Sequence, residues 1–118
     1  MTQNPTDLLP LTPAVLHILL ALADGEKHGY AIMLEVEQIS QNQVKMGPGT
    51  LYGTIKRMLQ GGLIVESSER PDPQMDDERR RYYSLTHFGR LVLAAETRRL
   101  EALVAASRRK QVLGTDLP

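Results

Sequence analysis

The sequence predicts a mostly α-helical fold with one small β-hairpin. Apolar residues recur at helical spacing in four separate segments, which is the strongest sequence signal for amphipathic helices. Gly61-Gly62 ends the third segment, and two short β-prone runs follow it, at 63–66 and 79–85. Residues 67–78 between these runs contain two prolines and many acidic side chains, a composition typical of a loop. The predicted order is therefore helix, helix, helix, hairpin, helix.

Composition indicates a single globular domain. The 118 residues are 42% hydrophobic and 24% charged, with one Phe and no Trp, so the core must consist mainly of aliphatic side chains and Met. No apolar run approaches the ~20 residues that span a bilayer. The first residues lack the basic and apolar regions of a secretory signal, and without cysteine there is no disulfide framework. We expect a cytoplasmic protein.

The first helix is predicted from Thr12, a favourable N-cap followed by Pro13, to about Ala23, with Gly25 ending it. It is apolar on nearly all sides, so it must be covered from more than one direction. In so small a chain we expect a second subunit to supply part of that cover. The second helix opens at His28-Gly29-Tyr30 and runs to about Ser40, with a core stripe of Ile32, Val36 and Ile39.

The third helix is predicted at about 48–60 and has two unlike faces. Leu51, Ile55, Met58 and Leu59 fall at i, i+4, i+7 and i+8, which is one side of a helix. The opposite side carries two glycines and three basic or amide residues: Gly49, Gly53, Lys56, Arg57 and Gln60. A helix with an apolar back and such a front suits insertion into a DNA major groove.

Thr86 is predicted to cap a long fourth helix that reaches about Lys110. Its apolar positions are Phe88, Val92, Leu93, Leu100, Leu103 and Val104. We therefore divide the chain into a flexible arm (1–10), a winged helix-turn-helix domain (11–85), a C-terminal dimerisation helix (86–110) and a flexible tail (111–118). The apolar surplus of the first and fourth helices predicts a dimer interface that contains Val15, Leu19, Leu22, Leu93, Leu100, Leu103 and Val104.

Charge is distributed unevenly although the formal net charge is zero. Residues 79–110 contain nine basic and two acidic side chains, while acidic residues dominate the remainder. A neutral protein with one strongly basic segment can bind phosphates through that segment, and the alternative is a solvated basic helix. Together with the third helix, this distribution favours double-stranded DNA as the partner.

The candidate DNA-binding residues fall into three groups, and each has a structural alternative. The third helix offers Gly49, Thr50, Tyr52, Gly53, Lys56 and Arg57; the start of the second offers His28 and Tyr30; the base of the wing offers Arg79 and Arg81. The Tyr52 phenol is expected to meet a phosphate while its ring packs on the second helix, the alternative being a half-buried core residue. Arg57 is expected to contact either a phosphate or a guanine. His28 is expected either to cap its helix or to contact a phosphate.

Other classes of site find no support in the sequence. The three histidines have no metal-ligand spacing and no cysteine partners, so no metal or other cofactor is expected. No nucleophile–base motif, P-loop or dinucleotide fingerprint is present, so we do not expect an enzyme. The remaining alternative is a winged-helix module that binds another protein without contacting an operator.

Four short motifs, in this order and at these spacings, resemble the PadR family of bacterial transcriptional regulators. They are Leu19-Leu20 with His28-Gly29-Tyr30-Ala31-Ile32, then Pro48-Gly49-Thr50-Leu51-Tyr52, then Gly62-Leu63-Ile64, then Tyr82-Tyr83-Ser84-Leu85-Thr86 with Gly89. The resemblance covers about residues 11–107, and the single helix after the wing is similar to the small subgroup of that family. It implies a homodimeric repressor that binds a palindromic operator and often responds to a small, frequently aromatic effector between its subunits.

Overall fold

A computed structural model describes residues 3–67 and 81–114. Most of the predicted wing tip and Arg79 fall outside these ranges. The elements follow the predicted order, with two additions, a short 3₁₀ helix (Pro5–Leu8) before α1 and a short first strand. They are α1 (Pro13–Ala21), β1 (Lys27–His28), α2 (Gly29–Ile39), α3 (Pro48–Gln60), β2 (Ile64–Ser67), β3 (Tyr82–Leu85) and α4 (His87–Arg109).

Side-chain caps fix the predicted helix starts. The Thr12 hydroxyl accepts the Val15 backbone N–H at 3.3 Å, and the Thr86 hydroxyl accepts that of Gly89 at 2.9 Å. Each bond satisfies one of the N–H groups that a helix start leaves without an intrahelical partner. At the other end of α3, Gly61 is the C-cap and Gly62 follows at φ +74°, a conformation that favours glycine.

The sheet has three antiparallel strands in the order β1-β3-β2. The sequence predicted only the hairpin of β2 and β3 and missed β1. Lys27 lies opposite Tyr83, and Ile64 lies opposite Leu85. Strand β1 has only two residues, too few to show the alternation by which strands are recognised in a sequence. Its pairing ties the start of α2 to the wing.

One core lies between the helices and the sheet. Its buried side chains are Ile18, Leu19, Ala21, Leu22, Ile32, Val36, Met46, Leu51, Ile55, Met58, Leu63, Ile64, Tyr83, Val92 and Leu93. Ile39, expected to complete the α2 stripe, is instead 37% exposed because it ends the helix beyond the core.

The chain covers α1 more completely than the sequence suggested. Helix α1 contacts α2, α3 and α4 of its own chain. Leu19 and Leu22 are 0% and 1% exposed as a result, and Leu93 on α4 is 6% exposed. These three side chains were expected at a dimer interface, and the structure places them in the interior of the single chain instead.

The segment before α1 is packed on the protein rather than loose. Residues Pro5–Leu8 form a short 3₁₀ helix that contacts α4, and Leu8 and Leu9 pack against the core. The Leu11 backbone N–H donates to Glu96 Oε2 at 2.9 Å. Where the sequence suggested a flexible arm, the structure thus packs residues 5–9 on the protein. At the opposite end, the Val112 N–H donates to the Ser107 carbonyl at 2.9 Å, so the predicted tail begins with an ordered turn.

Glu96 is a buried carboxylate, 1% exposed, at the middle of α4. Besides the Leu11 N–H it accepts two bonds from Arg99, at 2.6 Å from Nε and 3.1 Å from Nη2. The Arg99 bond, supported by that of Leu11, holds the Glu96 pKa below its usual value of 4.5 against the opposing effect of burial. Glu96 thus joins α4 to the N-terminal segment.

Replacing Glu96 with Gln should lower stability at neutral pH and remove one source of acid sensitivity. A carboxyl whose pKa is lower in the folded state stabilises the fold above its unfolded pKa, and this stabilisation is lost as pH falls through the lowered value. We expect Glu96→Gln to cost about 1.5–3 kcal/mol near neutrality, the range for hydrogen bonds to charged groups. Urea unfolding measured from pH 7 downward should show the free energies of unfolding of the two proteins converging below about pH 4.5. A difference in free energy that stays constant with pH would contradict this role of Glu96.

Candidate nucleic-acid interface

Helix α3 has one buried and one exposed side, as its spacing predicts. Leu51, Thr54, Ile55 and Met58 are each 1–2% exposed and face the core. After Pro48, which is itself exposed, the exposed positions are Gly49, Thr50, Tyr52, Lys56, Arg57 and Gln60, and Gly53 is partly exposed between them. Helix α3 begins at Pro48 and is capped at its end by Gly61, so both of its limits are predictable from the sequence.

The exposed side of α3 carries two cations without an acidic partner among the described residues, Lys56 and Arg57. The one side-chain hydrogen bond that Arg57 makes there runs from its Nη2 to Thr54 Oγ1 at 3.2 Å. A Cβ added at Gly49 would meet no atom within 4 Å, and one at Gly53 would meet only Arg57 Nη1, at 3.8 Å. Packing inside the chain therefore does not require either glycine, and the surface around them is open to a ligand.

Tyr52 bridges α3 and α2 through its ring. The ring lies so close to Gly29, the first residue of α2, that a Cβ there would overlap Oη and come within 2.8 Å of Cε1 and Cζ. Tyr52 remains 38% exposed, so its ring packs against α2 while one edge faces solvent. The sequence predicted the packing but missed Gly29. The available signal was a glycine beside His28 at the start of an amphipathic helix.

His28 caps α2 and packs on the sheet. Its Nδ1 accepts the Ala31 backbone N–H at 3.2 Å, and its ring meets that of Tyr82 edge to face, with centroids 5.5 Å apart. Of the two predicted roles, the structure therefore provides the cap. Tyr30, two residues later, is 59% exposed and extends away from the core.

The base of the wing is less cationic than the sequence suggested. Arg81 Nη1 donates to Glu66 Oε2 at 2.9 Å, which pairs the cation with a carboxylate on β2. Tyr83 is buried beside them, and burial, followed by the nearby Glu66 carboxylate, raises the pKa of its phenol. Arg79, the other candidate at this end, lies outside the described residues.

Two kinds of site are not found in the described ranges. None of the helices there is long and apolar enough to cross a membrane. Within those same ranges, histidine and acidic side chains form no group of three that could hold a metal ion.

The motifs on α2, α3 and the start of α4 lie within one recognisable family region. The model of the PadR-like family of transcriptional regulators matches residues 18–95. The chain belongs to this family. The PadR-like region contains the whole sheet and α3, and it ends within α4, one residue before Glu96. Since the family consists of transcriptional regulators, the chain is a regulator and not an enzyme.

Relatives of known sequence agree with the PadR-like assignment. The chain is 37% identical over 99 residues to a transcriptional regulator of Mycobacterium tuberculosis, covering 84% of this chain and 81% of that protein. It is also 37% identical over 86 residues to an uncharacterised 37.1 kDa protein of a Streptomyces fradiae transposon. That match covers 73% of this chain but only 22% of the transposon protein.

Solved structures share the PadR-like fold. A PadR family transcription regulator of Clostridium difficile superimposes with a TM-score of 0.69 at 23% identity, covering 87% of this chain and all of that one. RosR of H. salinarum gives 0.62 at 26% identity and 90% coverage of both chains. Bacillus subtilis PadR, solved in complex with operator DNA, gives 0.61 at 21% identity over 73% of this chain and 46% of its own.

Gly29→Ala should strain the contact between α2 and α3. The added methyl group would collide with the Tyr52 ring, and overpacking of this kind costs about 1–3 kcal/mol. The same substitution in a Tyr52→Ala background should cost little, because the colliding ring is gone. Chemical unfolding of the four proteins of this double-mutant cycle measures the coupling. Equal losses in both backgrounds would show that the Gly29–Tyr52 contact does not determine the effect.

Proposed function

We propose that this PadR-like regulator is a homodimeric repressor that binds a two-fold related operator through the exposed side of α3. The observation that carries the proposal is the exposed surface of α3, which is open and basic. It is formed by Gly49, Thr50, Gly53, Lys56 and Arg57, and the buried apolar side of the same helix anchors it to the core. A helix of this kind fits the major groove, where base edges carry distinct hydrogen-bonding patterns. Lys56 would neutralise phosphates beside the groove, and Thr50 near the helix start would approach a phosphate there.

The structural likeness to Bacillus subtilis PadR supports DNA as the partner. That protein was solved with operator DNA, and the shared fold covers 73% of this chain. The Tyr52 hydroxyl, which lies against Gly29 at the start of α2, would meet a phosphate there, since the side chain is 38% exposed. Tyr30, exposed at the start of α2, would meet the same strand, while His28 would act indirectly by capping the helix that carries Tyr30.

Arg81 and Arg79 would contribute to DNA binding from the wing. The Arg81 guanidinium is held by Glu66, so a phosphate contact would require exchange of one anionic partner for another. Such an exchange contributes less net free energy than a contact made by an unpaired cation. We therefore rank Arg81 below Lys56 and Arg57 as a determinant of affinity.

The second half of α4 supports the dimer. All the buried residues of this 23-residue helix, from Gly89 to Glu96, lie in its first half. Leu100, Leu103 and Val104 continue the same face beyond the core, with Leu103 and Val104 55% and 42% exposed. An apolar stripe that continues beyond the core of its own chain is typical of an interaction surface, and the same stripe of a second copy would be complementary to it. Val15, partly buried on α1, would lie near this interface.

A small aromatic or hydrophobic effector would bind between the subunits. A ligand placed among the α4 side chains of two copies can alter the spacing of the recognition helices without contacting DNA. Release of the operator by such a ligand would make the protein a ligand-controlled repressor. A protein that acts on promoter DNA in this way would work in the cytoplasm.

Selection of duplexes from a random pool tests the operator proposal. The purified protein should enrich a two-fold symmetric sequence whose half-sites lie about 34 Å apart, one turn of DNA. Footprinting should then show protection of both half-sites by one dimer. A single asymmetric half-site bound by a stoichiometric dimer would contradict the symmetric arrangement, and failure of the wild-type protein to bind any duplex would contradict DNA binding itself.

Lys56→Ala and Arg57→Ala should each weaken operator binding without unfolding the protein, because both side chains are exposed. Loss of a phosphate contact should lower the salt slope of binding by about one, whereas loss of a base contact should relax specificity by about 1–3 kcal/mol. Binding titrations at several salt concentrations distinguish the two. Lys110→Ala, which removes an exposed cation at the end of α4, is the matched control. Unchanged binding by both α3 variants would exclude α3 from the interface.

A further inference from the structure

We infer that Thr54 is a positioning residue that holds Arg57 in the orientation needed to read a guanine. The inference rests on the proposed function and deepens it, because it assigns the α3 site one base-reading side chain and a residue that orients it. Thr54 did not stand out in the sequence, since its side chain belongs to the buried side of α3. The structure joins it to the exposed side through one hydrogen bond.

The Thr54 hydroxyl is oriented by two neighbours. It donates its proton to the Thr50 carbonyl at 2.8 Å, and it accepts Arg57 Nη2 at 3.2 Å. A hydroxyl has one proton, so with that proton directed to the carbonyl only lone pairs remain for Arg57. Thr54 is 1% exposed, and burial restricts the movement of its side chain. The position of the Thr54 oxygen is therefore fixed, and in its bond with Arg57 this oxygen can only be the acceptor.

The anchored guanidinium lies one turn back from its own backbone, toward the start of α3. Its Nη1 would be 3.8 Å from a Cβ at Gly53, so it passes beside a residue that has no side chain. In helix-turn-helix proteins the base-contacting side chains come from the N-terminal part of the recognition helix. Thr54 holds the Arg57 guanidinium near that part of the helix through a hydrogen bond, and Gly53 leaves the space that the guanidinium occupies.

Anchoring is more useful for reading a base than for neutralising a phosphate. Arg57 has five N–H donors, and Thr54 occupies one of them in the described part of the chain. The remaining donors form a planar fork that can bind guanine O6 and N7 together, which requires a defined orientation. A phosphate contact tolerates a flexible point charge. Lys56, the adjacent cation, has no hydrogen-bonding anchor within the described ranges and suits that second role.

Thr54→Val tests the inference because it removes the hydroxyl at nearly constant shape. Binding should be measured to the selected operator and to every single-base variant of one half-site, for wild type, Thr54→Val and Arg57→Ala. We expect Arg57→Ala to lose discrimination at one guanine. Thr54→Val should reduce discrimination at that same position by at least about fivefold, the lower end of what a bidentate contact provides. The salt slope should be unchanged in Thr54→Val, because the charge is retained.

Two comparisons separate positioning from packing. Thr54→Ser and Thr54→Ala both lose the methyl group, but only Ser retains the hydroxyl, so only Ser should keep guanine discrimination. In an Arg57→Ala background, Thr54→Val should have no further effect on base preference. The melting temperature of each variant should be measured alongside its binding, so that a loss of packing is recognised as such.

Several results would overturn the inference. Unchanged discrimination in both Thr54→Val and Thr54→Ala would show that the hydroxyl does not orient Arg57. A uniform loss of affinity across all sequences in Arg57→Ala, with a salt slope lower by about one, would make Arg57 a phosphate contact and leave the proposed function intact. Absence of DNA binding by the wild-type protein would overturn the proposed function as well.

Discussion

Gly89→Ala should destabilise the protein more than any other single methyl group added to the described part of α3 or α4. A Cβ at Gly89 would overlap the Leu63 carbonyl oxygen and come within 2.9 Å of the Leu63 carbonyl carbon. These are backbone atoms at the junction of α3 and β2, and the same carbonyl accepts the Thr86 N–H at 3.1 Å. The contact cannot be relieved by a side-chain rotation, so the wing must move away from α4. We expect a loss of about 3 kcal/mol, the upper end of the usual cost of overpacking.

Gly53→Ala is the matched control for this prediction. It adds the same methyl group to a helix interior, but its nearest neighbour there is Arg57 Nη1 at 3.8 Å. Because Ala forms helices better than Gly by about 1 kcal/mol, Gly53→Ala should hold or raise the melting temperature. Gly89→Ala should lower it by about 10 °C or more. Equal melting temperatures for the two variants would contradict the close approach of α4 to Leu63.

Leu100→Asp combined with Leu103→Asp should convert the proposed dimer into monomers. Both positions lie on the continued apolar face of α4, beyond the last residue that the chain buries in this helix. Two carboxylates on each copy would bring four like charges into the interface. Since a dimer gains affinity by joining two half-sites, operator affinity should fall by about 100-fold or more. Sedimentation and operator titration measure the two effects.

The control for this change places the same charges on the opposite side of the same helix. Ala102→Asp with Ala105→Asp alters two exposed positions that point away from the apolar face. This variant should remain a dimer and bind the operator. A stable wild-type monomer at micromolar concentration would refute the dimer and, with it, the effector site between subunits.

Interactions within a single helix or turn are predictable from the sequence alone. Helix α3 was predicted at its observed limits because Pro48 favours a first turn, Gly61-Gly62 ends the helix, and the apolar spacing repeats within one element. The caps at Thr12 and Thr86 were predictable for the same reason, since each bonds to an N–H three residues away. The two faces of α3, and hence most of the candidate interface, follow from periodicity alone.

Which apolar and polar side chains meet across the chain follows only from the packing of the folded protein. Leu19, Leu22 and Leu93 look like interface residues in a sequence, yet three other helices of the same chain cover α1. The bond from the Leu11 N–H to Glu96 joins positions 85 residues apart, and the overlap between Gly29 and Tyr52 depends on how two helices cross. Spacing within an element fixes the direction of a side chain, but the neighbour it meets depends on the packing of the whole chain. That packing leaves the second half of α4 exposed, and it is this exposed half that we propose a second copy covers.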